Sequence, residues 1–225
     1  MGDRTKKINL ERPKKRKRAI FNPANTLTLL RVVWGFAVFI LLVYFMDSTA
    51  KVDERLAAVV IFSIIMIHIL DWVDGFVARK TNSSTDFGSI IDIAGDRAIE
   101  IMFFFAFACL GLVSKIIPVI FLIRGQITDT LRCYILKEGK TPYKGFHKKG
   151  SLGQFLTASR LMRGISGLSK FSTFLLAAVV VSFKVYEWYY LVNILAWFAL
   201  VVNIVRGIYP ILDGIKQAEE LLEYV

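Results

Sequence analysis

The sequence predicts an all-α membrane protein with six transmembrane helices, and three observations lead to this fold class. Hydrophobic residues make up 55% of the 225 residues, and the mean hydropathy of +0.53 is too high for an ordinary soluble domain. The apolar residues form long runs, and the chain length accommodates about six helices of about 20 residues each. Basic residues concentrate between alternate runs. The two cysteines, Cys109 and Cys133, exclude a disulfide scaffold, and both are expected to be buried free thiols.

The chain begins with a strongly basic segment. Residues 1–18 hold nine Lys and Arg residues against two acidic residues, so this tail carries +7 of the total charge of +11. Beside a hydrophobic body, such a tail is expected to lie on anionic lipid of the cytoplasmic leaflet and not on nucleic acid. We therefore assign residues 1–24 to a cytoplasmic tail with a short interfacial helix, with disorder as the open alternative for residues 1–15. Residues 25–225 are assigned to a single membrane domain.

Six apolar segments follow the tail. The predicted spans are 27–46, 57–70, 90–113, 116–136, 171–183 and 189–205. The loops expected in the cytoplasm are 79–87 and 138–170, and the second is rich in Lys and Arg. The first loop expected outside, 47–54, has three acidic residues against Lys51. The positive-inside rule then places both termini in the cytoplasm. Arg31, in the first turns of the first span, is expected to extend to the membrane interface.

Four aspartates stand at the predicted cytoplasmic ends of the second and third spans. Asp71 and Asp74 are three residues apart, and Asp92 and Asp96 are four apart, so each pair shares one helix face. A charged side chain inside a membrane helix costs about 2.5–3.5 kcal/mol. Four converging carboxylates would repel one another without a cation, and oxygen ligands favour Mg²⁺ or Mn²⁺. The pattern predicts a two-metal site that acts on a pyrophosphate, in preference to polar residues that only join helices.

Small residues accompany the acids on the same two helices. Gly75, Ala78, Gly88 and Gly95 leave room for a bulky, flat ligand beside the carboxylates. Arg79 follows at the membrane edge, where its guanidinium could pair with a phosphate. This combination indicates a phosphorylated substrate with a planar group.

The segment 71–96 reads DWVDGFVAR, then eight residues, then GSIIDIAGD. It resembles, without a departure, the DxxDGxxAR–x8–GxxxDxxxD signature of the CDP-alcohol phosphotransferase family. The start of the first span, NTLTLLR at 25–31, is similar to that family's Asn-x-x-Thr-x-x-Arg. The resemblance implies a homodimeric membrane enzyme with two Mg²⁺ or Mn²⁺ ions. It would transfer a substituted phosphate from a CDP-linked lipid to an alcohol and release CMP.

The resemblance also implies a role for each residue of the motif. Asp71, Asp74 and Asp92 would hold one metal ion, and Asp71, Asp92 and Asp96 would hold or face the second. Asp96 would also be the general base that takes the proton from the acceptor hydroxyl. The CDP group would lie against Asn25, Thr28, Gly75, Ala78, Arg79 and Gly88.

The acceptor is predicted from the segments after the motif. The pair Arg124 and Arg132, eight residues apart, resembles the phosphatidylglycerophosphate synthase group, and Lys170 lies in a segment similar to that group's Gly-Lys-x-Lys-Thr. These three cations could form a pocket for a dianionic phosphate, which favours glycerol 3-phosphate over serine, choline or ethanolamine. In contrast, Asp96 followed by Arg97 resembles inositol-type members, so inositol phosphate stays open as the acceptor.

Two further polar residues and two other function classes complete the expectations. Glu100 either orients Asp96 or lines the acceptor pocket, or it pairs with Arg124 as a structural bridge. His68 is expected to make an interhelical hydrogen bond. Intramembrane aspartates also line ion paths, so a cation transporter is the alternative from a different class. A prenyltransferase with an Asp-rich metal site is a third. The acids stand beside Arg79 at helix ends, and small residues interleave them, which favours the transferase.

Overall fold

Six α-helices account for most of the residues that the structure describes. The computed structural model describes residues 23–47, 54–80, 86–137 and 159–222, so the predictions for the tail and for residues 138–158 lie outside it. The helices are α1 Pro23–Asp47, α2 Glu54–Lys80, α3 Asp86–Cys109, α4 Ile116–Lys137, α5 Arg160–Phe183 and α6 Tyr189–Leu222. A 3₁₀ turn, Tyr186–Trp188, precedes α6, and no strand occurs in the described ranges. The predicted all-α class is confirmed.

Three of these helices are long and apolar enough to cross a membrane. The candidate spans are Asn25–Tyr44, Leu161–Phe183 and Tyr189–Leu212, which correspond to the first, fifth and sixth predicted spans. The other three helices have 27, 24 and 22 residues, a length that also suffices for a bilayer, but charged residues interrupt their apolar sequence. That all six helices cross the membrane remains a prediction from the sequence.

The fifth helix begins earlier than its apolar run. The sequence predicts residues 138–170 as a loop, but α5 already begins at Arg160, so Arg163 lies on a helix. The physical reason is a helix cap: the hydroxyl of Ser159 accepts a hydrogen bond of 3.1 Å from the amide of Met162. The small and polar residues of the next three turns lower the hydropathy of the segment without interrupting the helix.

The third helix ends earlier than predicted. It ends at Cys109, and Gly111 follows with a φ of +76°, a left-handed conformation that glycine adopts without strain. The amide of Leu112 then donates a 3.0 Å hydrogen bond to the carbonyl of Phe107, which closes the turn. Cys109 is a free, exposed thiol, so the prediction that it is buried is wrong. The side chain of Cys133 lies outside those described.

Aromatic side chains fill the contact between α3 and α5. Phe174 of α5 is 2% exposed, and its ring centroid lies 5.3, 4.7 and 6.2 Å from those of three α3 residues. The three are Phe103, Phe104 and Phe107. About one turn away on the two helices lie Glu100 and Lys170, so this packing sets how closely their charged groups approach.

We expect Phe174→Ala to destabilise the protein strongly. Removal of a phenyl ring from a closely packed core costs about 3–5 kcal/mol, because the neighbouring rings cannot close the cavity. Thermal unfolding of the purified protein in detergent measures the loss. The matched control is Phe183→Ala on the same helix, where the ring is 59% exposed and little packing is lost. Equal destabilisation by the two substitutions would contradict the assigned core.

Candidate metal centre and active site

Three of the four aspartates come together between α2 and α3. One carboxylate oxygen from each of Asp71, Asp92 and Asp96 lies within 4.8 Å of the others. The first side chain comes from α2, and the other two come from one face of α3, as their four-residue spacing requires. These three residues are called the acidic cluster below.

The other residues of the motif are only partly described. Helix α2 continues to Lys80, but the structure describes the side chains of none of four motif residues on it. These are Asp74, Gly75, Ala78 and Arg79. Gly88 lies in the first turn of α3 and is half-buried. The predicted roles of all five residues therefore stay predictions.

The acidic cluster suits a hard divalent cation. Oxygens on opposite sides of Mg²⁺ lie about 4.2 Å apart, since each bond is about 2.1 Å long, and the oxygens of the cluster lie within 4.8 Å of one another. All three donors are carboxylates, the ligand type that Mg²⁺ and Mn²⁺ prefer. The side chains of Asp71, Asp92 and Asp96 are 50%, 47% and 50% exposed. The cluster is therefore accessible to a substrate.

A cationic side chain from α1 lies among the three carboxylates. Arg31 is only 1% exposed, and its guanidinium forms ion pairs with Asp71, with Asp96 at 2.5 Å and with Asp92 at 3.3 Å. The sequence predicts that Arg31 extends to the membrane interface, and this prediction is wrong. The carboxylates of two other helices supply the partners that a buried charge requires.

The polar face of α1 is directed at the same region. Asn25, Thr28 and Arg31 follow one another at three-residue spacing and are 6%, 4% and 1% exposed. Gly95 of α3 allows α1 to approach, because a Cβ atom there would lie 2.8 Å from Cγ2 of Val32. The sequence assigns Gly95 to making room for a ligand, but in the structure the neighbouring helix takes this space.

A second group of charged side chains lies farther along α3. Glu100 is 6% exposed; its carboxylate is 2.8 Å from Nη1 of Arg97 and 3.2 Å from Nζ of Lys170. Nε of Arg97 lies 3.5 Å from the carboxylate of Asp129. These ion pairs connect α3 with α4 and α5. The described ion pairs of Glu100 do not include Arg124. Its carboxylate borders a cavity, which favours a place in the lining of a pocket.

Two guanidinium groups in this region pack on glycines. A Cβ atom at Gly207 of α6 would lie 2.9 Å from Cζ of Arg124, and one at Gly125 of α4 would lie 2.6 Å from Nε of Arg97. Both glycines therefore provide flat surfaces that a larger residue would fill. Neither glycine nor Arg97 was among the predicted site residues, although Arg97 directly follows Asp96 and Gly125 directly follows Arg124 in the sequence.

A cavity of about 110 Å³ joins the acidic cluster to the second charged group. Its polar lining consists of Arg31, His68, Asp71, Asp96, Glu100 and Lys170. Apolar side chains from α2, α3 and α5 complete the wall. The structure thus brings the predicted Asp96 and Lys170 to one cavity. The side chain of the third predicted acceptor cation, Arg132, lies outside those described.

His68 makes a local hydrogen bond. Its Nδ1 lies 2.8 Å from the carbonyl oxygen of Ile64, one turn earlier on α2. This bond lies within one helix, so the predicted interhelical bond stays a prediction. The ring packs against Phe171 of α5, with 4.9 Å between centroids.

The fold and the site define an all-helical protein with membrane-spanning character and a carboxylate cluster where α1, α2 and α3 meet. The family model for CDP-alcohol phosphatidyltransferases matches residues 21–205, and the chain belongs to this family. The match confirms the predicted family and the predicted class of transferase. Together with the apolar helices, it indicates an integral membrane protein of phospholipid biosynthesis.

Relatives of known activity match a shorter segment. The CDP-diacylglycerol–glycerol-3-phosphate 3-phosphatidyltransferases of Escherichia coli strain K12 and of Shigella flexneri serotype 5b are each 37% identical over 79 residues. This segment is 35% of the present chain and 40% of each relative. The chain thus matches less than half the length of these relatives.

Proposed function

We propose that this protein transfers a phosphatidyl group from a CDP-linked lipid to sn-glycerol 3-phosphate and releases CMP. The observation that carries the proposal is a cavity bordered both by Asp96 of the acidic cluster and by Lys170. One end of the cavity has a carboxylate that can act as a base for a hydroxyl group, and the other end has a cation that can bind a phosphate. Glycerol 3-phosphate contains both a hydroxyl group and a phosphate. Family membership and the activity named for the relatives support the same reaction.

The acidic cluster, with Asp74, is proposed to hold two Mg²⁺ or Mn²⁺ ions. Such ions, when bound, polarise the donor phosphate and stabilise the charge that develops on CMP. The donor is CDP-diacylglycerol or an ether-lipid equivalent. The residues proposed to bind its CDP group are Asn25, Thr28, Gly75, Ala78, Arg79 and Gly88.

Asp96 is proposed as the general base. Its carboxylate takes the proton of the acceptor hydroxyl, and the hydroxyl oxygen forms a bond to the lipid-side phosphorus of the donor. The bond between this phosphorus and the bridging oxygen breaks, and the electron pair leaves with CMP. The position of Asp96 supports this role, because the side chain lines the cavity and is half exposed.

Lys170, Arg124 and Arg132 are proposed to bind the phosphate of the acceptor. The ammonium group of Lys170 borders the cavity, where a dianionic phosphate would compete with Glu100 for it. Nε of Arg124 is buried and has no hydrogen-bond partner among the described residues, so this guanidinium retains donor capacity. Arg97, between Glu100 and Asp129, adds positive charge to the same region.

Gly207→Ala should weaken acceptor binding selectively. The new methyl group would overlap the guanidinium of Arg124, and displacement of this cation should raise KM for glycerol 3-phosphate about fivefold, equivalent to about 1 kcal/mol. KM for CDP-diacylglycerol should stay the same. Steady-state kinetics with each substrate varied in turn test this. Gly164→Ala on α5 is the control, because nothing lies within 4 Å of its Cβ position; equal KM values in both variants would contradict the proposal.

The proposed arrangement in the membrane follows the charge distribution. Both termini and the acidic cluster face the cytoplasm, with residues 1–24 on anionic lipid, and the protein acts as a homodimer with no nucleic-acid partner. The basic tail supports this orientation, and the homodimer rests on the family resemblance. Labelling of single-cysteine variants in intact vesicles tests the orientation.

A second candidate acceptor is inositol phosphate. Arg97 directly follows Asp96, as in inositol-type members of the family, and its guanidinium is 2.8 Å from Glu100 beside the cavity. The chemistry at the acidic cluster would be the same. Only the shape of the acceptor site distinguishes the two candidates.

The deciding experiment measures CMP release by the purified protein from CDP-diacylglycerol with Mg²⁺ or Mn²⁺. Glycerol 3-phosphate, inositol phosphate, serine and no acceptor are compared, and EDTA serves as the metal-free control. We expect the fastest release with glycerol 3-phosphate and none with EDTA. Faster release with inositol phosphate would establish the second candidate. Cation transport without CMP release from any mixture would overturn the enzymatic proposal.

A further inference from the structure

We infer that Arg31 is a counter-cation built into the acidic cluster and competes with a divalent ion for the same carboxylates. The inference rests on the proposed function in one respect, namely that this cluster binds such an ion. It adds a residue from α1, outside the aspartate motif, that tunes how tightly the ion is held.

The burial of Arg31 explains its ion pairs with the acidic cluster. A guanidinium that is 1% exposed needs charged or polar partners, and Asp71, Asp92 and Asp96 supply them from two other helices. The group thereby reduces the charge of the cluster from −3 to −2. It lowers the repulsion among carboxylates whose oxygens lie within 4.8 Å of one another.

The guanidinium and a divalent ion cannot occupy these positions together. Nη2 of Arg31 lies 2.5 Å from an oxygen of Asp96 and 3.3 Å from one of Asp92. An ion bound about 2.1 Å from the same oxygens would come into contact with the guanidinium nitrogens, and the two positive charges would repel each other. Binding of an ion to these oxygens therefore requires Arg31 to withdraw from them.

Competition and a purely structural role predict different changes in the affinity for metal when Arg31 is removed. If Arg31 only held α1 against α2 and α3, its removal would loosen the cluster and weaken or leave unchanged the affinity for metal. If Arg31 competes, its removal raises the energy of the metal-free cluster and eliminates the displaced cation. The affinity for metal then increases although the metal-free protein becomes less stable.

The experiment measures Mn²⁺ binding to the purified full-length protein in detergent, by the electron paramagnetic resonance signal of free Mn²⁺. No substrate is present, so the readout is independent of activity. We expect Arg31→Met to bind Mn²⁺ about tenfold more tightly than the wild type, the equivalent of a single lost competing contact. In EDTA this variant should unfold at a lower temperature, and Mn²⁺ should reverse more of that loss than in the wild type.

Two further variants make the result decisive. Arg55→Met removes an exposed cation at the start of α2, sixteen residues from Asp71 or about 24 Å along the helix, and should bind Mn²⁺ like the wild type. Arg31→Lys keeps one positive charge that cannot contact three carboxylates at once, so its affinity should lie between those of the wild type and Arg31→Met. If Arg31→Met does not fold, the comparison of Arg31→Lys with the wild type decides.

Each outcome separates the inference from the proposed metal site. Tighter binding in the Arg31 variants supports both. Binding in the wild type with equal or weaker binding in the variants leaves the metal site in place and overturns the competition. Absence of Mn²⁺ binding in all proteins overturns both. Binding in the Arg31 variants but not in the wild type supports the competition in its strongest form.

Discussion

Asp96→Asn should abolish measurable turnover, with a fall in kcat of about 10²–10⁴-fold, the range that a general base contributes. The amide has nearly the same shape as the carboxylate but does not accept the proton of the acceptor hydroxyl. Binding of the CDP-linked lipid should weaken only modestly, because Asp71 and Asp92 remain. The rate should therefore respond far more than the affinity for the donor.

The measurement compares CMP release under saturating substrates with binding of CDP-diacylglycerol to the same variant. Glu54→Gln is the matched control: it removes a carboxylate from the exposed first turn of α2, seventeen residues from Asp71. Its kcat should equal that of the wild type. A near-normal rate in Asp96→Asn would remove Asp96 as the base and leave the acidic cluster with metal binding alone.

Lys170→Met should raise KM for glycerol 3-phosphate about 10- to 100-fold. A hydrogen bond to a charged group contributes about 1.5–3 kcal/mol, and Met keeps the apolar length of the side chain without its charge. The effect should be specific to phosphorylated acceptors, because the ammonium group borders the cavity beside Glu100. KM for the lipid donor should change little.

The control for Lys170 is Lys115→Met, an exposed cation in the turn before α4. Initial rates with varied glycerol 3-phosphate, and then with varied CDP-diacylglycerol, give the two KM values for each protein. A loss of the same size for both substrates would indicate general structural damage. An unchanged KM for the acceptor would place the phosphate away from Lys170.

Local sequence patterns were sufficient for the helices and for the side of α3 that carries Asp92 and Asp96. The spacing of Asp92 and Asp96 needs only the geometry of one helix to put both on one face. The long apolar run after Asn25 likewise predicts a span without knowledge of its neighbours. Where helix ends depend on single interactions, such as the cap at Ser159 or the turn at Gly111, the hydropathy pattern placed the boundaries wrongly.

These local patterns did not predict the contacts between helices. Arg31 stands 40 residues before Asp71, and a basic residue near a span end ordinarily extends to the interface. Its burial depends on the approach of α1 to α3 over Gly95, which no local pattern expresses. The same holds for Glu100, whose partners come from its own helix and from α5.

The primary structure alone defines an all-helical member of the CDP-alcohol phosphatidyltransferase family, because the motif is contiguous and its spacing maps directly onto helix faces. Packing of the helices determines which charges meet: Arg31 with the acidic cluster, and Glu100 with Lys170. Burial forces each of these charges to find a partner, and only the three-dimensional arrangement specifies which helix supplies it.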